Sequence, residues 1–417
     1  MPENFHIDMP EAVRNIIHTI EEHGFKAYAV GGCIRDSILG RNPDDWDITT
    51  SAVPSQIKTF FKRTVDTGIA HGTVTIMIDK TGYEVTTYRI DGEYEDGRHP
   101  KSVEFSDRLV DDLCRRDFTI NAMAYNDTDG FVDEFKGLDD LDTKIIRCVG
   151  EPELRFTEDA LRMMRAIRFS AQLGFTIDEA TWNAIKKLSP SISKISMERV
   201  HVELGKTLMS AHPDYVAQYS EAGLFAPILP VIDNALKSRY KRKILATLQH
   251  TPDNIYLRYA ALFITSTPDE AAKTLRALKL DNKTVNTVSK LVELSKMDIE
   301  ETEPAVRTAL NKYGRDFLPL WHELMMAVIQ ASEDITGISN PAKVKHLLTL
   351  NRLGTDILAR GDCFTIKDLD ISGNDLIEYG LQGHEIGETL KSLLDIVIEN
   401  PKLNDKATLI AMIEHIK

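Results

Sequence analysis

The sequence has few cysteines and no long apolar runs. Its four cysteines, Cys33, Cys114, Cys148 and Cys363, lie far apart, with no CxxC pair and no Cys/His cluster. This spacing argues against a disulfide framework and a structural zinc site, and it favours reduced, buried thiols. No stretch approaches the roughly 20 apolar residues that a membrane-spanning helix needs. The N-terminal residues lack the basic and apolar regions of a secretory signal, so we expect a cytoplasmic protein.

Positive charge is also scarce. The 417 residues include 50 lysines and arginines against 64 aspartates and glutamates, which gives a net charge of −14. This balance argues mildly against nucleic acid as a partner, because phosphate binding relies on basic side chains. The basic residues cluster, however, in CRRDF, in RMMRAIRF and in KSRYKRK at residues 237–243. A local positive track on an acidic protein is one interpretation, and solvated helix faces are the other.

The hydrophobic pattern changes near residue 150. Before it, a helical period over residues 12–24 is followed by strand-like runs at FKAYAVGG, DWDITT, GTVTIMI and GYEVTTYRI, with KIIRCVG closing the region. From Glu151 a helical period dominates almost to the end, interrupted by SP, TPDN, ISNP and ENPKLND. The pattern predicts an α+β domain followed by an all-helical remainder.

Two carboxylates in DDWDITT are spaced for one face of a strand. Asp45 and Asp47 are two residues apart, so an extended backbone would point both the same way. Glu84, in YEVTTYR, would add a third carboxylate from a neighbouring strand. Magnesium prefers such oxygen ligands together with substrate phosphates. The alternative is an acidic surface loop, in which DxD pairs are common.

A glycine pair lies ten residues upstream. In AVGGCIRD, Gly31 and Gly32 end a strand and would let the backbone approach a ligand closely. Amides at the following helix start, together with Arg35, could hold a triphosphate. The turn lacks the GxGxxG and GxxxxGK[ST] spacings, so by itself it indicates only a turn.

The segment TEDALRMMRAIRF predicts a helix with Thr157 as its N-cap. At 3.6 residues per turn, an apolar stripe forms on one side and a polar arc on the other. The stripe comprises Ala160, Met163, Met164 and Ile167, and the arc comprises Asp159, Arg162, Arg165 and Arg168.

An ordinary amphipathic helix would explain the arc, but base recognition is the alternative. An ionised Asp159 only accepts hydrogen bonds, and Arg162 only donates them. Cytosine and adenine offer an amino group and a ring acceptor to such a pair. Uracil and guanine would set a carbonyl against the carboxylate and lose a bond. The pair would therefore select C and A.

The order YAVGGCIRDSILGR, DDWDITTSA, YEVTTYR and RRDFTINAMAYN resembles the polymerase beta-like nucleotidyltransferase superfamily. Within it, the chain is most similar to bacterial class II tRNA nucleotidyltransferases and their poly(A) polymerase relatives. The resemblance implies an α+β head with a mixed sheet, followed by all-α neck, body and tail domains. We expect the head at 1–150, the neck at 151–210, the body at 211–300 and a tRNA-binding tail at 301–417.

The resemblance also implies residue roles. Residues that match Asp45 and Asp47 bind the metal ions in that family, and Glu84 is expected to help hold the site. Glu158, Asp159 and Arg162 match the EDxxR motif that reads the base. The remaining nucleotide-binding positions are Gly32, Arg35, Arg116, Arg165 and Arg168.

The implied activity is template-independent addition of C, C and A to the 3′ end of tRNA from CTP and ATP with Mg²⁺. RIDGEYEDGRHP, at residues 89–100, matches a flexible loop that the family needs for the final A. An A-adding enzyme or a poly(A) polymerase is the alternative, and a non-catalytic RNA-binding protein is a distant one. ISMERVHVELGKTL matches the family's neck helix, with Glu198 and Arg199 expected to be structural. No His-Asp dipeptide is present, so we expect no phosphohydrolase activity, and no obligate protein partner is evident.

Overall fold

A computed structural model of the chain describes residues 6–92 and 103–416. The chain divides into two compact units, Met1–Asp233 and Asn234–Lys417. The loop predicted at residues 89–100 falls largely outside the described residues. The four-part division into head, neck, body and tail stays a prediction.

The strands belong to the first unit. They are β1 (Ala27–Val30), β2 (Ile48–Thr50), β3 (Thr64–Gly68), β4 (Thr73–Ile78), β5 (Thr81–Thr87), β6 (Arg89–Asp91), β7 (Val103–Phe105), β8 (Ala124–Asn126), β9 (Gly130–Val132), β10 (Ile145–Ile146) and β11 (Thr176–Ile177).

Within the described residues, seven strands form one sheet in the order β3-β4-β5-β2-β1-β8-β9. The β2–β5 pair is parallel and the other neighbours are antiparallel, so the sheet is mixed, as predicted. β6 pairs with β7, and β10 pairs in parallel with β11. β11 is a short strand in the region where the helical period dominates.

The described residues of the first unit also form helices, some of which contact strands of this sheet. They are α1 (Glu11–Glu22), α2 (Gly32–Ile38), α3 (Pro54–Phe60), α4 (Leu109–Cys114), α5 (Gly137–Asp142), α6 (Pro152–Glu158), α7 (Leu161–Leu173), α8 (Glu179–Leu188), α9 (Met197–Leu208), α10 (Ala217–Glu221) and α11 (Pro230–Lys237), which contains the unit boundary.

α1 shows how the apolar spacing makes a helix. Val13, Ile16, Ile17 and Ile20 are spaced three and four residues apart and are all buried. They form the stripe that packs inward, and the positive φ of Gly24, 84°, follows the helix end. The predicted helix over residues 12–24 is confirmed to within two residues.

The second unit is all helical in its described residues. Its helices are α12 (Lys241–His250), α13 (Ile255–Leu262), α14 (Pro268–Ala277), α15 (Asn282–Leu294), α16 (Glu303–Tyr313), α17 (Phe317–Thr336), α18 (Pro341–Arg360), α19 (Gly373–Glu378), α20 (His384–Glu399) and α21 (Lys406–Ile416).

Side chains at the helix starts explain several of these boundaries. Asn254, Thr267, Asp281, Thr302 and Asn340 each accept a hydrogen bond from a first-turn backbone N–H, which satisfies a donor that the helix itself leaves unpaired. No helix in the described ranges is long and apolar enough to cross a membrane.

The four cysteines are free thiols. Cys33, Cys148 and Cys363 are buried, as expected, but Cys114 is exposed. Cys114 is the last residue of α4, and the neighbouring Leu113 is the one that faces the core. The expectation of a buried thiol is therefore wrong for Cys114.

Candidate active site

A cavity of about 640 Å³ lies in the first unit. It is lined by the turn after β1, the segment before β2, the residues after α4, and α7. Seven of the predicted site residues line it: Gly32, Arg35, Asp45, Asp47, Arg116, Arg165 and Arg168. Glu84, Asp159 and Arg162 are not among its lining residues.

The glycine turn connects β1 to α2. Gly31 has φ 85° and ψ −128°, a backbone conformation that side chains disfavour. A Cβ atom there would also lie 3.0 Å from Nη1 of Arg116. Glycine is therefore required at position 31 both by the backbone conformation and by the arginine packed against it.

Asp45 and Asp47 precede β2, which begins only at Ile48. The prediction that both lie within a strand is wrong in its bounds, although the backbone N–H of Val30 donates to the carbonyl of Asp47 at 3.0 Å and extends the β1–β2 pairing by one residue. Both aspartates are exposed in the cavity wall. Neither carboxylate accepts a hydrogen bond from any residue that the structure describes.

The carboxyl group of Asp47 is accessible but poorly hydrated in this concave site. The loss of hydration raises its pKa; Arg116 opposes that rise, and the charge of Asp45 adds to it. A pKa raised in this way indicates a carboxylate that gains from a nearby cation.

Glu84 lies on β5, beside β2. Because Ile48 pairs with Val85, the residues that precede them, Asp47 and Glu84, are neighbours across the sheet. Loss of hydration raises the pKa of Glu84, and Asp47 and Asp45 raise it further. In the described ranges, however, no three His, Cys, Asp or Glu side chains converge as ligands for one ion. The structure therefore places Glu84 close to the two aspartates without completing a three-carboxylate site.

A chain of hydrogen bonds holds the arginines around the cavity. The buried Arg35 donates to Asp36 at 2.9 and 2.7 Å and to Oδ1 of Asn121 at 2.7 Å. Nδ2 of Asn121 donates to Asp117 at 3.1 Å, and Arg165 donates to the other oxygen of Asp117 at 2.7 Å. Burial opposes ionisation of Asp117, but Arg165, Asn121 and Arg162 outweigh it and hold its pKa well below the ordinary value.

Arg168 continues this arrangement deeper in the protein. Its Nε donates to Glu203 on α9 at 2.6 Å, and its Nη1 donates to Gln172 at 2.8 Å. The guanidinium groups of Arg35, Arg165 and Arg168 lie 5.0, 5.3 and 3.7 Å from the centre of the Phe169 ring. One aromatic ring thus packs against three cations at the cavity wall.

Arg116 is held from the opposite direction by Asp112. Its Nη2 donates to Asp112 at 3.0 Å, and Arg115 donates to the other oxygen at 2.6 Å. Burial opposes ionisation of Asp112, yet Arg116 and Arg115 keep its pKa below the ordinary value. Nε of Arg116 is buried and has no acceptor among the described residues. The side chain of Arg116 lines the cavity and has a hydrogen-bond donor that no described residue uses.

The predicted helix beginning at Thr157 is wrong. Thr157 lies inside α6, which ends at Glu158, and Asp159 has an extended backbone with φ −144° and ψ 105°. α7 begins at Leu161, whose backbone N–H donates to Oδ1 of Asp159 at 3.0 Å. Asp159 therefore ends the first helix, and its side chain accepts a hydrogen bond from the first residue of the second. The two helices are not one continuous helix.

The predicted base-reading pair is occupied within the protein. Arg199 of α9 donates to both oxygens of Asp159, at 3.2 and 2.7 Å. Arg162 donates to Glu158 at 2.5 Å and to the carbonyl of Arg115 at 3.0 Å. The apolar stripe of the same segment is buried throughout, as predicted.

Sequence patterns did not identify four acidic or amide residues that position the cavity arginines. These residues are Asp112, Asp117, Asn121 and Glu203. Asp117 and Asn121 lie in the RRDFTIN run beside Arg116, so that motif carried a signal for them. Glu203 is 35 residues from Arg168, and nothing in its local pattern indicates the pairing.

The mixed sheet and the arginine-lined cavity fit a nucleotidyltransferase, and family models of the poly(A) polymerase type match the first unit. Residues 27–147 match the family model described as "Poly A polymerase head domain". Residues 174–236 match "Probable RNA and SrmB- binding site of polymerase A", and residues 254–413 match a model for the second domain of tRNA nucleotidyltransferases.

Full-length relatives narrow this class. The chain is 34% identical to the CCA-adding enzyme of Pediococcus pentosaceus over 98% of both chains. It is 36% identical to that of Ligilactobacillus salivarius, over 98% of this chain and 96% of the relative. The solved CCA-adding enzyme of Bacillus stearothermophilus in complex with CTP superposes with a TM-score of 0.75 at 32% identity, covering 97% of this chain and 96% of that one. The chain belongs to the family of CCA-adding enzymes, which confirms the predicted family and fold class.

Proposed function

We propose that this enzyme adds C, C and A in turn to the 3′ end of tRNA, using CTP and ATP without a nucleic-acid template and releasing pyrophosphate. The observation that carries this proposal is that Asp45, Asp47 and the arginines line one cavity, in a chain whose full-length relatives are CCA-adding enzymes. The second-domain match to tRNA nucleotidyltransferases supports tRNA as the acceptor. A cytoplasmic location is part of the proposal, because tRNA and nucleoside triphosphates are intracellular substrates.

Asp45 and Asp47 are the residues that would hold Mg²⁺. Their donor set fits this ion, since magnesium is often bound by one or two carboxylates together with substrate phosphates. Both carboxylates are exposed in the cavity and have no partner among the described side chains. When bound, the metal would activate the attacking 3′ hydroxyl and stabilise charge on the phosphates. Glu84 would act through its charge, as a neighbour of Asp47 on β5.

The cavity arginines would bind the triphosphate. Arg35 and Arg116 are held in place by Asp36, Asn121 and Asp112, so they lose little side-chain freedom on binding. Gly32, at the start of α2, would allow close approach of the phosphates. Arg165 and Arg168 would border the nucleotide from α7.

Asp159 and Arg162 would select the base, with one condition that the structure adds. Arg199 occupies both oxygens of Asp159, so the amino group of cytosine or adenine would have to replace it. Uracil and guanine present a carbonyl instead. A carbonyl cannot donate a hydrogen bond to Asp159, so it could not replace the bonds from Arg199. We therefore assign Arg199 a part in selection as well as in structure.

The domain roles follow the same proposal. Residues 1–150 would carry catalysis, 151–210 base selection, 211–300 a helical body and 301–417 tRNA binding. Helical domains of this kind would contact tRNA through its shape and phosphates, as is usual for double-stranded RNA.

The test uses three tRNAs, ending at the discriminator base, at the first C and at CC. Each is incubated with CTP and ATP, singly and together, and the products are analysed by mass spectrometry. We expect two C additions with CTP alone and one further A when ATP is added. Failure to add C would indicate an A-adding enzyme, and A-tails longer than one residue a poly(A) polymerase. The double variant Asp45→Asn/Asp47→Asn is the inactive control.

A further inference from the structure

Residues 237–243, with the sequence KSRYKRK, form a strongly basic surface segment that the catalytic cavity does not include. We refer to its charged residues and tyrosine as the basic patch: Lys237, Arg239, Tyr240, Lys241, Arg242 and Lys243. The patch has five positive charges and no acidic residue, in a chain whose net charge is −14. It begins directly after the matched RNA-binding region of residues 174–236.

The basic patch extends from the last residue of α11, Lys237, to the first turn of α12, where positive charge is unfavourable. The first three residues of the helix are Lys241, Arg242 and Lys243, and its first turn contains no acidic residue. Backbone N–H groups make a helix N-terminus electropositive, so basic side chains there repel it. Tyr240 is the N-cap residue, and no side chain caps the helix. Arg242 and Lys243 are therefore unfavourable for the helix itself, whereas a bound anion would interact favourably with both.

The patch also presents its groups to solvent. Arg239, Arg242 and Lys243 are exposed, and Tyr240 retains 42% of its accessible surface. The Arg239 guanidinium lies 5.0 Å from the centre of that ring, and its Nη2 donates to the tyrosine hydroxyl at 2.9 Å. Neither Arg242 nor Lys243 forms an ion pair within residues 6–92 and 103–416. An exposed aromatic ring beside several cations is the composition of a surface that binds nucleic-acid backbone.

We propose that the basic patch binds phosphates of the tRNA backbone, with Arg239, Arg242 and Lys243 as the contacting cations. This inference rests on the proposed function, because it takes tRNA as the RNA. Phosphate contacts position a nucleic acid without reading its sequence, which suits an enzyme that must accept every tRNA. Binding through the patch releases counterions from the RNA, so it weakens as salt concentration rises.

The test compares two double variants with the same change of charge. Arg242→Gln/Lys243→Gln neutralises the patch at two exposed cations that form no ion pair with the described part of the chain. Lys62→Gln/Arg63→Gln neutralises two adjacent exposed cations of the first unit and is the control. The affinity for a fluorescent tRNA that lacks CCA is measured by anisotropy from about 50 to 200 mM KCl, a range over which phosphate contacts weaken strongly.

We expect the patch variant to bind tRNA at least about tenfold more weakly near 100 mM salt and to reduce the slope of log Kd against log salt by about two. Its kcat at saturating tRNA and its KM for CTP should equal those of the wild type. Its unfolding temperature should not fall, since the variant removes repulsion at the helix start. An affinity and a slope equal to those of the control would overturn the proposal.

A second variant, Arg239→Gln, lies outside α12 and serves if the double variant is destabilised. It should reduce the salt slope by about one, and an unchanged slope would also refute the patch. The two proposals fail separately. The wild type could fail to add nucleotides to tRNA while the patch variants still weaken salt-dependent tRNA binding. In that case the proposed activity is wrong and the patch proposal stands. If C, C and A are added with an unchanged KM for tRNA in both variants, only the patch is wrong.

Discussion

Asp117 binds Arg165 directly and is linked to Arg35 through Asn121, and Asp117→Asn tests what this carboxylate contributes to the cavity. Asp117 accepts two hydrogen bonds on Oδ1, from the Phe118 backbone and from Asn121. Oδ2 accepts from Arg165 at 2.7 and 2.6 Å. An asparagine can keep the first pair of bonds, but its NH₂ group would face the Arg165 guanidinium, donor against donor.

The size of the effect follows from burial. Removing one partner of a fully buried ion pair costs about 3–5 kcal/mol. The Arg165 side chain is 34% exposed and has Glu203 4.0 Å away, so water and a second carboxylate relieve part of that cost. We expect a loss of about 2–3 kcal/mol after this discount for solvent. For a unit of this size, that corresponds to a fall of roughly 5–10 °C in unfolding temperature.

The loss should depend on pH in a defined direction. Because the folded-state pKa of Asp117 is depressed, its charge stabilises the fold fully above the unfolded-state value of about 3.9. That contribution disappears as pH falls towards the folded-state pKa, where the wild type also becomes neutral. The difference in stability between wild type and Asp117→Asn should therefore be constant near neutral pH and begin to shrink only below about pH 4.

The assay combines calorimetry between pH 7 and pH 3 with steady-state kinetics. We expect the KM for CTP to rise roughly tenfold, equivalent to about 1.4 kcal/mol, with a smaller change in kcat, because Arg165 is displaced and no reacting group is removed. Asp142→Asn, at an exposed carboxylate that ends α5, is the matched control and should change neither quantity. An unfolding temperature and a KM both unchanged in Asp117→Asn would refute the reasoning.

Three further predictions follow from individual contacts. Asp47→Ala should abolish nucleotide incorporation while leaving tRNA binding by anisotropy intact; retained incorporation would remove Asp47 from the metal site. Gly31→Ala should destabilise the first unit by about 1–3 kcal/mol, since alanine disfavours φ 85° and its Cβ would lie 3.0 Å from Arg116. An unchanged melting curve would contradict this. Arg307→Met should destabilise the second unit by about 3 kcal/mol, because the buried Arg307 donates to Asp362 at 2.9 Å and to the carbonyl of Ile398 at 2.7 Å. Denaturant unfolding measures this loss, and a denaturant midpoint equal to that of the wild type would be inconsistent with it.

Local sequence patterns predicted the parts of the fold that depend on local physics. The apolar spacing of α1 and the run that forms β1 depend on burial of one face or of a whole strand, and both are where the sequence places them. The change from a mixed sheet to helices after residue 150 is likewise a change of hydrophobic period.

The break between α6 and α7 could not be predicted in this way. Acidic residues at Glu158 and Asp159 suit the first turn of a helix, so a single helix from Thr157 was the natural interpretation. The extended backbone of Asp159 accompanies its bidentate bond with Arg199, which is 40 residues away in the chain. A tertiary partner of this kind overrides local preference, and the periodicity of the segment contains no trace of it.

The charges of the cavity lead to a last prediction. Four cavity arginines each have a carboxylate partner, in the pairs Arg35–Asp36, Arg116–Asp112, Arg165–Asp117 and Arg168–Glu203. Asp45 and Asp47 have no such partner in the described chain. Among the other charged lining residues, Asp44, Asp45 and Asp47 outnumber Arg41. The uncompensated charge of the cavity is therefore negative, and it repels a triphosphate unless a cation accompanies the nucleotide.

Magnesium should therefore reverse the effect that removing the charges of Asp45 and Asp47 has on CTP affinity. In EDTA, Asp45→Asn/Asp47→Asn should bind CTP more tightly than the wild type, because the variant removes the repulsion. With Mg²⁺ present, the wild type should bind more tightly, because only it retains both carboxylates for the ion. Isothermal titration calorimetry under both conditions measures this, with Asp142→Asn as the control at an exposed carboxylate that does not line the cavity. If the double variant bound CTP more weakly than the wild type in EDTA as well, the two aspartates would not be the source of the repulsion, and the charge argument for the metal would fail.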